Sequence, residues 1–298
     1  LINNNLYEIF VAYLLERDAI YRRRAEGEPG PWTTDPILAK YKFTNVLRSR
    51  DRTSRWLIEN WYQPHWDDHL EVIALNCGIA RYFGRIEFLE DLGWQNNWDP
   101  TYVLETARRR FREKKPVFTG AYIITNQGMT DPKEEVVVNH FLSPYRNALG
   151  RLVEIATTQH SWESVARAMK GMPGMGPFMT KEILLDWQYT PLLKFASDRL
   201  TWTPAGPGAI RGLNRLHERP LQRGMTQEQA LREMKDLLAR LANDPAIMNS
   251  RFPTPGVEFG VTDVQFCLCE LDKYLRVRNL EGRPRSTFKP SRLEAIRG

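Results

Sequence analysis

The chain has 298 residues, with 42 Lys+Arg against 36 Asp+Glu, a net charge of +6, 42% hydrophobic residues and three cysteines. This composition excludes disorder throughout and is enough for a sizeable core. It contains no run of about 18 apolar residues that could cross a membrane. Cys77 stands alone and Cys267 and Cys269 sit two apart, so no disulfide framework can form; this suits a reducing cytosol. The opening LINNNLYEIF lacks the basic start and cleavage site of a signal peptide. Leu1 is not a natural start, which leaves the true N-terminus, and any signal ahead of it, open. A cytoplasmic protein with no membrane partner is expected. The isoelectric point near 9.2 is a weak pointer to a polyanionic partner.

The predicted elements are helical. Residues 6–24 place Leu6, Ile9, Phe10, Tyr13, Leu14 and Ile20 largely on one face, and GEPGPW at 27–32 ends that helix. A second helix is predicted over 43–62. Asp99-Pro100 reads as N-cap and first helical residue of a helix running to Lys115. The run 117–125 is the one strand-like stretch, which a buried helix or loop explains equally well. Asp131-Pro132 opens a further helix with a kink expected at Pro144. Ser161 caps a short helix, and Thr226/Gln229 and Thr262/Gln265 read as capping boxes. The expected fold is all-α, two helical lobes with a cleft, in one domain over 1–280. Residues 281–298 read as a loosely attached, polar, basic tail.

The most informative segment is MKGMPGMGPFMTKEILLDW at 169–187. A helix ends at a Gly-rich turn and a second begins at Pro177, the pattern of a helix-hairpin-helix. Gly174 and Gly176 would let the turn take positive φ and approach a phosphate, and the next helix would offer it unpaired N–H groups. Lys181, one turn on, would add charge. Such a hairpin holds DNA backbone without reading sequence; the plainer reading is an ordinary tight helix–helix turn. Asp198 follows Gly176 by 22 residues. Helix-hairpin-helix DNA glycosylases carry an essential aspartate at a similar distance, facing a base turned out of the stack; a helix cap or an ion-paired carboxylate is the alternative. Gly206–Gly212 reads as a second Gly-rich turn that would cradle a phosphate or diphosphate beside Arg211, or as a close helix crossing. Arg48, Arg52 and Arg55 share a face of the predicted helix 43–62, an anion site or a solvated surface. The run Arg108–Arg112 reads as solvated helix surface or a backbone contact. His65 and His69 have the i, i+4 spacing of zinc ligands, but neither they nor the C-x-C pair have a partner set, so they read as structural. No metal and no cofactor are expected. No G-x-x-x-x-G-K-[ST] occurs, so the chain is not itself a P-loop kinase.

Four segments in order resemble one family: FTNVLRSRDRTSRWLIENWY at 43–62, GMPGMGPFMTKEILLDWQYTPLL at 171–193, the D-x-x-x-W-x-P-A-G-P-G-A-x-R-G stretch at 198–212 and LCELDKYLRV at 268–277. It is the alpha-glutamyl/putrescinyl thymine pyrophosphorylase family, whose helical module is also described as the helical domain of 5-hydroxymethyluracil DNA kinases. The resemblance spans about residues 40–280. It implies a helix-hairpin-helix DNA glycosylase-like fold and base hypermodification in bacteriophage DNA. A separate kinase makes the pyrophosphate ester of 5-hydroxymethyluracil in double-stranded DNA, and this family displaces the pyrophosphate with an amino acid or polyamine. The sequence carries no recognisable kinase segment, so the kinase is expected to be a neighbour and not this chain's own activity. Under that implication Arg48, Arg52, Arg55 and Arg211 would hold the leaving pyrophosphate. Asp198, or else Glu270, would take the proton of the amine, with Lys273 or Arg276 orienting the donor. Gly174, Gly176, Lys181 and Trp202 would contact DNA, with Trp202, Trp56 or Phe178 stacking where the base leaves. Glu270 and Lys273 lie i, i+3 on one helix, so a plain ion pair is the other reading. A glycosylase that cleaves the base, and a non-catalytic DNA-binding module partnering a kinase, are the rival functions.

Overall fold

The computed structural model describes residues 1–253, 257–284 and 286–289. In chain order the helices are α1 Asn4–Ala25, α2 Pro36–Lys40, α3 Arg52–Trp56, α4 Leu70–Phe83, α5 Ile86–Leu92, α6 Pro100–Arg112, α7 Lys133–Glu135, α8 Ser143–Gln159, α9 Trp162–Met169, α10 Pro177–Trp187, α11 Pro207–Leu216, α12 Gln227–Ala242, α13 Pro245–Met248 and α14 Val261–Arg278. Among the described residues no strand forms; the single antiparallel bridge joins Tyr41 and Thr287. The protein is all-α. The chain divides into two compact units, Leu1–Asp51 with the chain from Ala205 onward, and Arg52–Pro204.

In the first unit α11 lies against α14, with α1, α2 and α12 packed around the pair. The contact is close because Gly208 and Gly212 face α14. A Cβ on Gly208 would come 2.9 Å from Cys269 Sγ, and one on Gly212 would run into the Leu268 carbonyl. Phe10, Leu14, Leu213, Leu216, Leu268 and Leu271 fill the core beneath. Residues expected to form a loose tail are in part tied down. The Ser286 carbonyl accepts the Lys42 N–H at 3.1 Å, and the Phe288 N–H donates to the Lys40 carbonyl at 2.9 Å. The remainder of that tail, 285 and 290–298, lies outside the described residues.

The second unit is built on α4, whose residues from Ile73 to Phe83 are all buried, Asn76 and Arg81 among them. It packs against α8 and α10. Gly78 lets Tyr145 of α8 lie directly on its backbone, and the Tyr145 hydroxyl donates to the Ala74 carbonyl at 2.8 Å.

Three helix starts follow the sequence reading. Asp99, Ser161 and Thr226 each accept an N–H from the first turn that they cap. α6 ends at Arg112 rather than Lys115. The start of α14 differs. Its N-cap is Gly260, whose N–H donates to the Asp263 carboxylate at 3.0 Å, so Thr262 lies inside the helix. The expected kink at Pro144 takes the form of a wide π-helical turn, Val136–Leu142, between α7 and α8. There the Ser143 N–H reaches back to the Val138 carbonyl. The run 117–125 is irregular.

The predicted helix 43–62 is broken. Residues 42–47 carry no helix, Arg48–Arg50 form a 3-10 turn, α3 follows, and Leu57–Tyr62 is π-helical. The cause is that other side chains bond this backbone. Arg17 donates to the Thr44 carbonyl at 2.9 Å and the Phe43 carbonyl at 3.3 Å. Glu270 accepts the Thr44 N–H at 3.1 Å, and Asp51 accepts the Asn45 N–H at 2.8 Å. With those groups bonded elsewhere, a helical ladder cannot run through them.

Candidate nucleic-acid interface

The hairpin consists of α9, a turn over 170–176 and α10. Positive φ occurs at Gly171 (85°) and Gly174 (76°), conformations that favour glycine. Gly174 is also required by packing. A Cβ there would fall 2.6 Å from Phe141 Cγ and 2.6 Å from the Tyr82 hydroxyl oxygen. Met175, between the glycines, is buried. Gly176 corrects the sequence expectation. It has φ −70° and ψ 170°, which any residue can adopt, and a Cβ there meets nothing within 4 Å. It is the N-cap of α10, and no side chain caps that end. Pro177 has no N–H and the Thr180 N–H bonds the Gly176 carbonyl at 3.0 Å, so the Phe178 and Met179 amides have no helical carbonyl to pair with. The structure thus brings together an open glycine and a helix N-terminus at the tip of the hairpin.

Lys181 is not at that tip. It is 2% exposed. Its ammonium lies 3.0 Å from Glu182 and 5.0 Å above the Phe178 ring. Glu182 in turn pairs with Arg81 at 3.1 Å, and Arg81 grips Asp186 through two of its nitrogens. Burial pulls the Arg81 guanidinium down, but Asp186 and Glu182 outweigh it and hold its pKa well above the ordinary value. Burial likewise raises the Asp186 carboxyl, against the pull of Arg81. The sequence reading used Lys181 only as a charge beyond the turn and passed over Glu182 and Asp186. α10 is instead buried from Met179 to Trp187. Lys181 as a surface phosphate contact is therefore corrected: its charge is spent inside the unit.

Asp198 sits at the other end of α9. One carboxylate oxygen accepts the Trp162 N–H at 2.7 Å; the other accepts the Ser161 hydroxyl at 2.8 Å and the Glu163 N–H at 3.0 Å. Three of its roughly four acceptor positions are occupied. It anchors the N-terminus of the hairpin's first helix, where the helix dipole favours a negative charge. The Asp198 carbonyl accepts the Trp202 N–H at 2.8 Å, and Trp202 is half-buried.

The arginines do not share a helix face. Arg48 lies in the 3-10 turn of the first unit, bonded to Asp51 and 4.6 Å over the Phe266 ring. Arg52 and Arg55 belong to α3 in the second unit and are both exposed. Arg55 lies 3.8 Å from Glu59. Arg211 bonds Asp272 through Nε at 2.9 Å, and Arg215 bonds the other oxygen of Asp272 at 2.7 Å. With Gly208 and Gly212 set against α14, the stretch 206–212 is a close helix crossing and not a phosphate cradle. Glu270 accepts the Thr44 N–H and pairs with Lys273 at 2.5 Å, so the ion pair is present. Asp263, which the sequence reading passed over, lies near Arg48. Burial lifts its carboxyl to about 7, against the lowering effect of the Gly260 amide and of Arg48.

His65 stacks on Trp94 at 4.0 Å and hydrogen-bonds Asp68 at 3.1 Å, and His69 precedes α4 as its N-cap. Among the described residues no group of three or more His, Cys, Asp or Glu is placed to hold a metal, and no helix is long and apolar enough to cross a membrane.

A family model described as "5-hmdU DNA kinase, helical domain" matches residues 4–283. The chain belongs to this family. A relative of this helical domain, a protein of Bacillus phage SP10 named "5-hmdU DNA kinase", is 29% identical over 234 residues, which covers 72% of this chain and 36% of the relative. The helical domain therefore matches little more than a third of that relative's length. No solved structure matches the chain.

Proposed function

We propose that this helical domain binds double-stranded phage DNA and carries out a step of thymine hypermodification, replacing the pyrophosphate of a 5-pyrophosphoryloxymethyluracil with an amino acid or amine. The observation that carries the reading is the hairpin tip of a chain in this family: an N-cap glycine open to solvent, on a helix N-terminus that no side chain caps. That combination suits a backbone phosphate, which the amides of a helix start can hold without a lysine. The expected fold is glycosylase-like, and the DNA is expected to present the base out of the stack.

In the transfer the amine nitrogen attacks the exocyclic methylene carbon. A C–N bond forms, the C–O bond to pyrophosphate breaks with its electron pair going to the leaving group, and the new ammonium loses one proton. The leaving group needs cations. Arg52, exposed and without an ion pair among the described residues, is the strongest candidate, with Arg55, Arg48 and Arg211 each already sharing a carboxylate. Asp198 stays a candidate for orienting the amine through its one remaining acceptor position, and Glu270 is the other, its bonds to Thr44 and Lys273 falling on one carboxylate oxygen. The amino donor and a separate 5-hydroxymethyluracil DNA kinase are the partners this reading requires.

The test is direct. The chain is incubated with DNA carrying the pyrophosphate ester and a pool of amino acids and polyamines, and the nucleosides are then weighed. A mass change equal to the donor minus pyrophosphoric acid, a loss for most amino acids and polyamines, supports transfer; release of a free base and alkali-labile strands would mean a glycosylase. One observation favours a second reading, a non-catalytic module that presents DNA to a kinase: three of the roughly four acceptor positions of Asp198 are already taken up at the start of α9. That reading expects DNA binding with no change of base mass.

A further inference from the structure

The loop over 188–200 leads from α10 to Asp198, and the structure holds it in a fixed shape. The Leu193 N–H bonds the Trp187 carbonyl at 3.2 Å and the Ser197 N–H bonds the His160 carbonyl at 2.9 Å. Trp66 Nε1 donates to the Tyr189 carbonyl at 3.2 Å. Leu192, Leu193 and Ala196 are buried beneath it. From this mount one large side chain points away. Phe195 is 77% exposed, the most exposed aromatic ring among the described residues. Lys194 beside it lies 4.5 Å over the Trp66 ring and 5.4 Å from the Phe195 ring.

A single exposed ring is common on protein surfaces; what marks this one is the anchored loop that carries it and the cation beside it. A protein interface would surround it with further apolar surface and few charges. Here the exposed residues nearest it along the chain are Pro191, Lys194 and Ser197, and the Lys194 ammonium lies 5.4 Å from the ring. That pairing fits a nucleic acid, with the ring against base faces and the ammonium near phosphate. Its place fits as well. Asp198, three residues on, fixes the N-terminus of α9, and the hairpin tip lies past the other end of that helix. Eight residues of helix span about 12 Å, some three to four phosphate steps along one strand. The aromatic residues that the sequence pointed to are less available. Trp56 stacks on Trp61, Phe178 packs against Tyr122, and Trp202 is half-buried.

We propose that Phe195 is the side chain that enters the base stack of duplex DNA where a base is turned out, while the hairpin holds the same duplex by its backbone. This rests on the DNA-binding reading above, so the experiment separates the two. The intact chain and its Phe195→Ala and Phe195→Trp variants are titrated with a short duplex carrying 2-aminopurine beside a T·T mismatch, and with the fully paired parent. Wild type is expected to prefer the mismatched duplex and to raise the 2-aminopurine fluorescence. Phe195→Ala should lose that preference by at least about fivefold, the lower end of what one stacked base contributes, and lose the fluorescence rise, while its affinity for paired DNA changes by less than about twofold. Phe195→Trp should retain both. If Phe195→Ala keeps preference and fluorescence, Phe195 is not the inserted residue, although the hairpin reading stands. If the DNA behaviour is untouched and the variant instead changes the sedimentation of the chain, Phe195 serves a protein contact and the proposal fails. If wild type binds neither duplex, the DNA-binding reading itself falls, and this proposal with it.

Discussion

Replacing Asp198 by asparagine looks like the neutral way to remove a catalytic charge, and the structure shows that it is not. The carboxylate accepts three donors, two of them backbone amides of the first turn of α9. An asparagine offers one oxygen. In its best orientation the oxygen keeps the Ser161 and Glu163 bonds and the NH2 group faces the Trp162 N–H, donor against donor. One charge-assisted bond is lost, worth about 1.5–3 kcal/mol, together with the charge–dipole attraction at the helix start, about 0.3–1 kcal/mol. The expected destabilisation is therefore about 2–4 kcal/mol. Urea unfolding followed by circular dichroism reads it as a lower midpoint with an unchanged slope. Ser161→Ala, which removes one donor and leaves the charge, should cost about 1 kcal/mol. If Asp198→Asn unfolds within about 0.5 kcal/mol of wild type, the anchoring role is wrong; a loss of transfer by about 10²-fold or more in that folded variant would then be chemical.

Other expectations follow from the same geometry. Gly176→Glu should fold normally, because its φ is ordinary and its Cβ position empty, yet weaken duplex binding and make the salt dependence shallower by about one phosphate contact; fluorescence anisotropy over a salt series checks this. Gly174→Ala should do the opposite first, losing about 2–5 kcal/mol from its positive φ and the crowding by Phe141 and Tyr82, read as a lower melting temperature without DNA. Arg52→Ala should lower transfer turnover more than DNA binding; if Arg109→Ala in α6 behaves alike, Arg52 is general electrostatic surface. The raised Asp263 pKa has a defined sign. The folded chain holds a proton that the unfolded chain releases near pH 4, so Asp263 stabilises the fold at low pH, and this contribution declines as pH rises from about 4 to about 7, by roughly 1.4 kcal/mol per unit at most. Asp263→Asn should flatten that part of the stability–pH curve.

The sequence carried the helical class, the turn between two helices at 170–176 and several caps, because these depend on local signals: apolar periodicity, Gly and Pro at turns, and Asp, Ser or Thr ahead of a first turn. It misled where distant side chains bond the backbone. The arginine face failed because the chain is extended at Asp51, which ends the 3-10 turn holding Arg48 before α3 begins at Arg52. Lys181 failed for a different reason. A polar residue on an amphipathic pattern is assigned to solvent by default, and only the fold reveals that Arg81 brings compensating charge to the inside. The Gly-rich stretch at 206–212 fits a phosphate loop and a tight crossing equally well in one dimension; Leu268 and Cys269 decide it in three.

The wide turn Val136–Leu142 bears on which lengths of this segment can survive in relatives. A π-helical turn holds one residue more than the α-helix it replaces. Pro144 follows at the point where an ordinary turn would set its ring against the carbonyl of His140, four residues back. The extra residue and the proline are thus a matched pair. Removing one residue from 136–142 alone should close the turn onto the proline ring. Removing the residue together with a Pro144→Ala change should give a plain α-helix. Among relatives, a one-residue gap in this segment is then expected to coincide with loss of the proline, and length and side chain should change together.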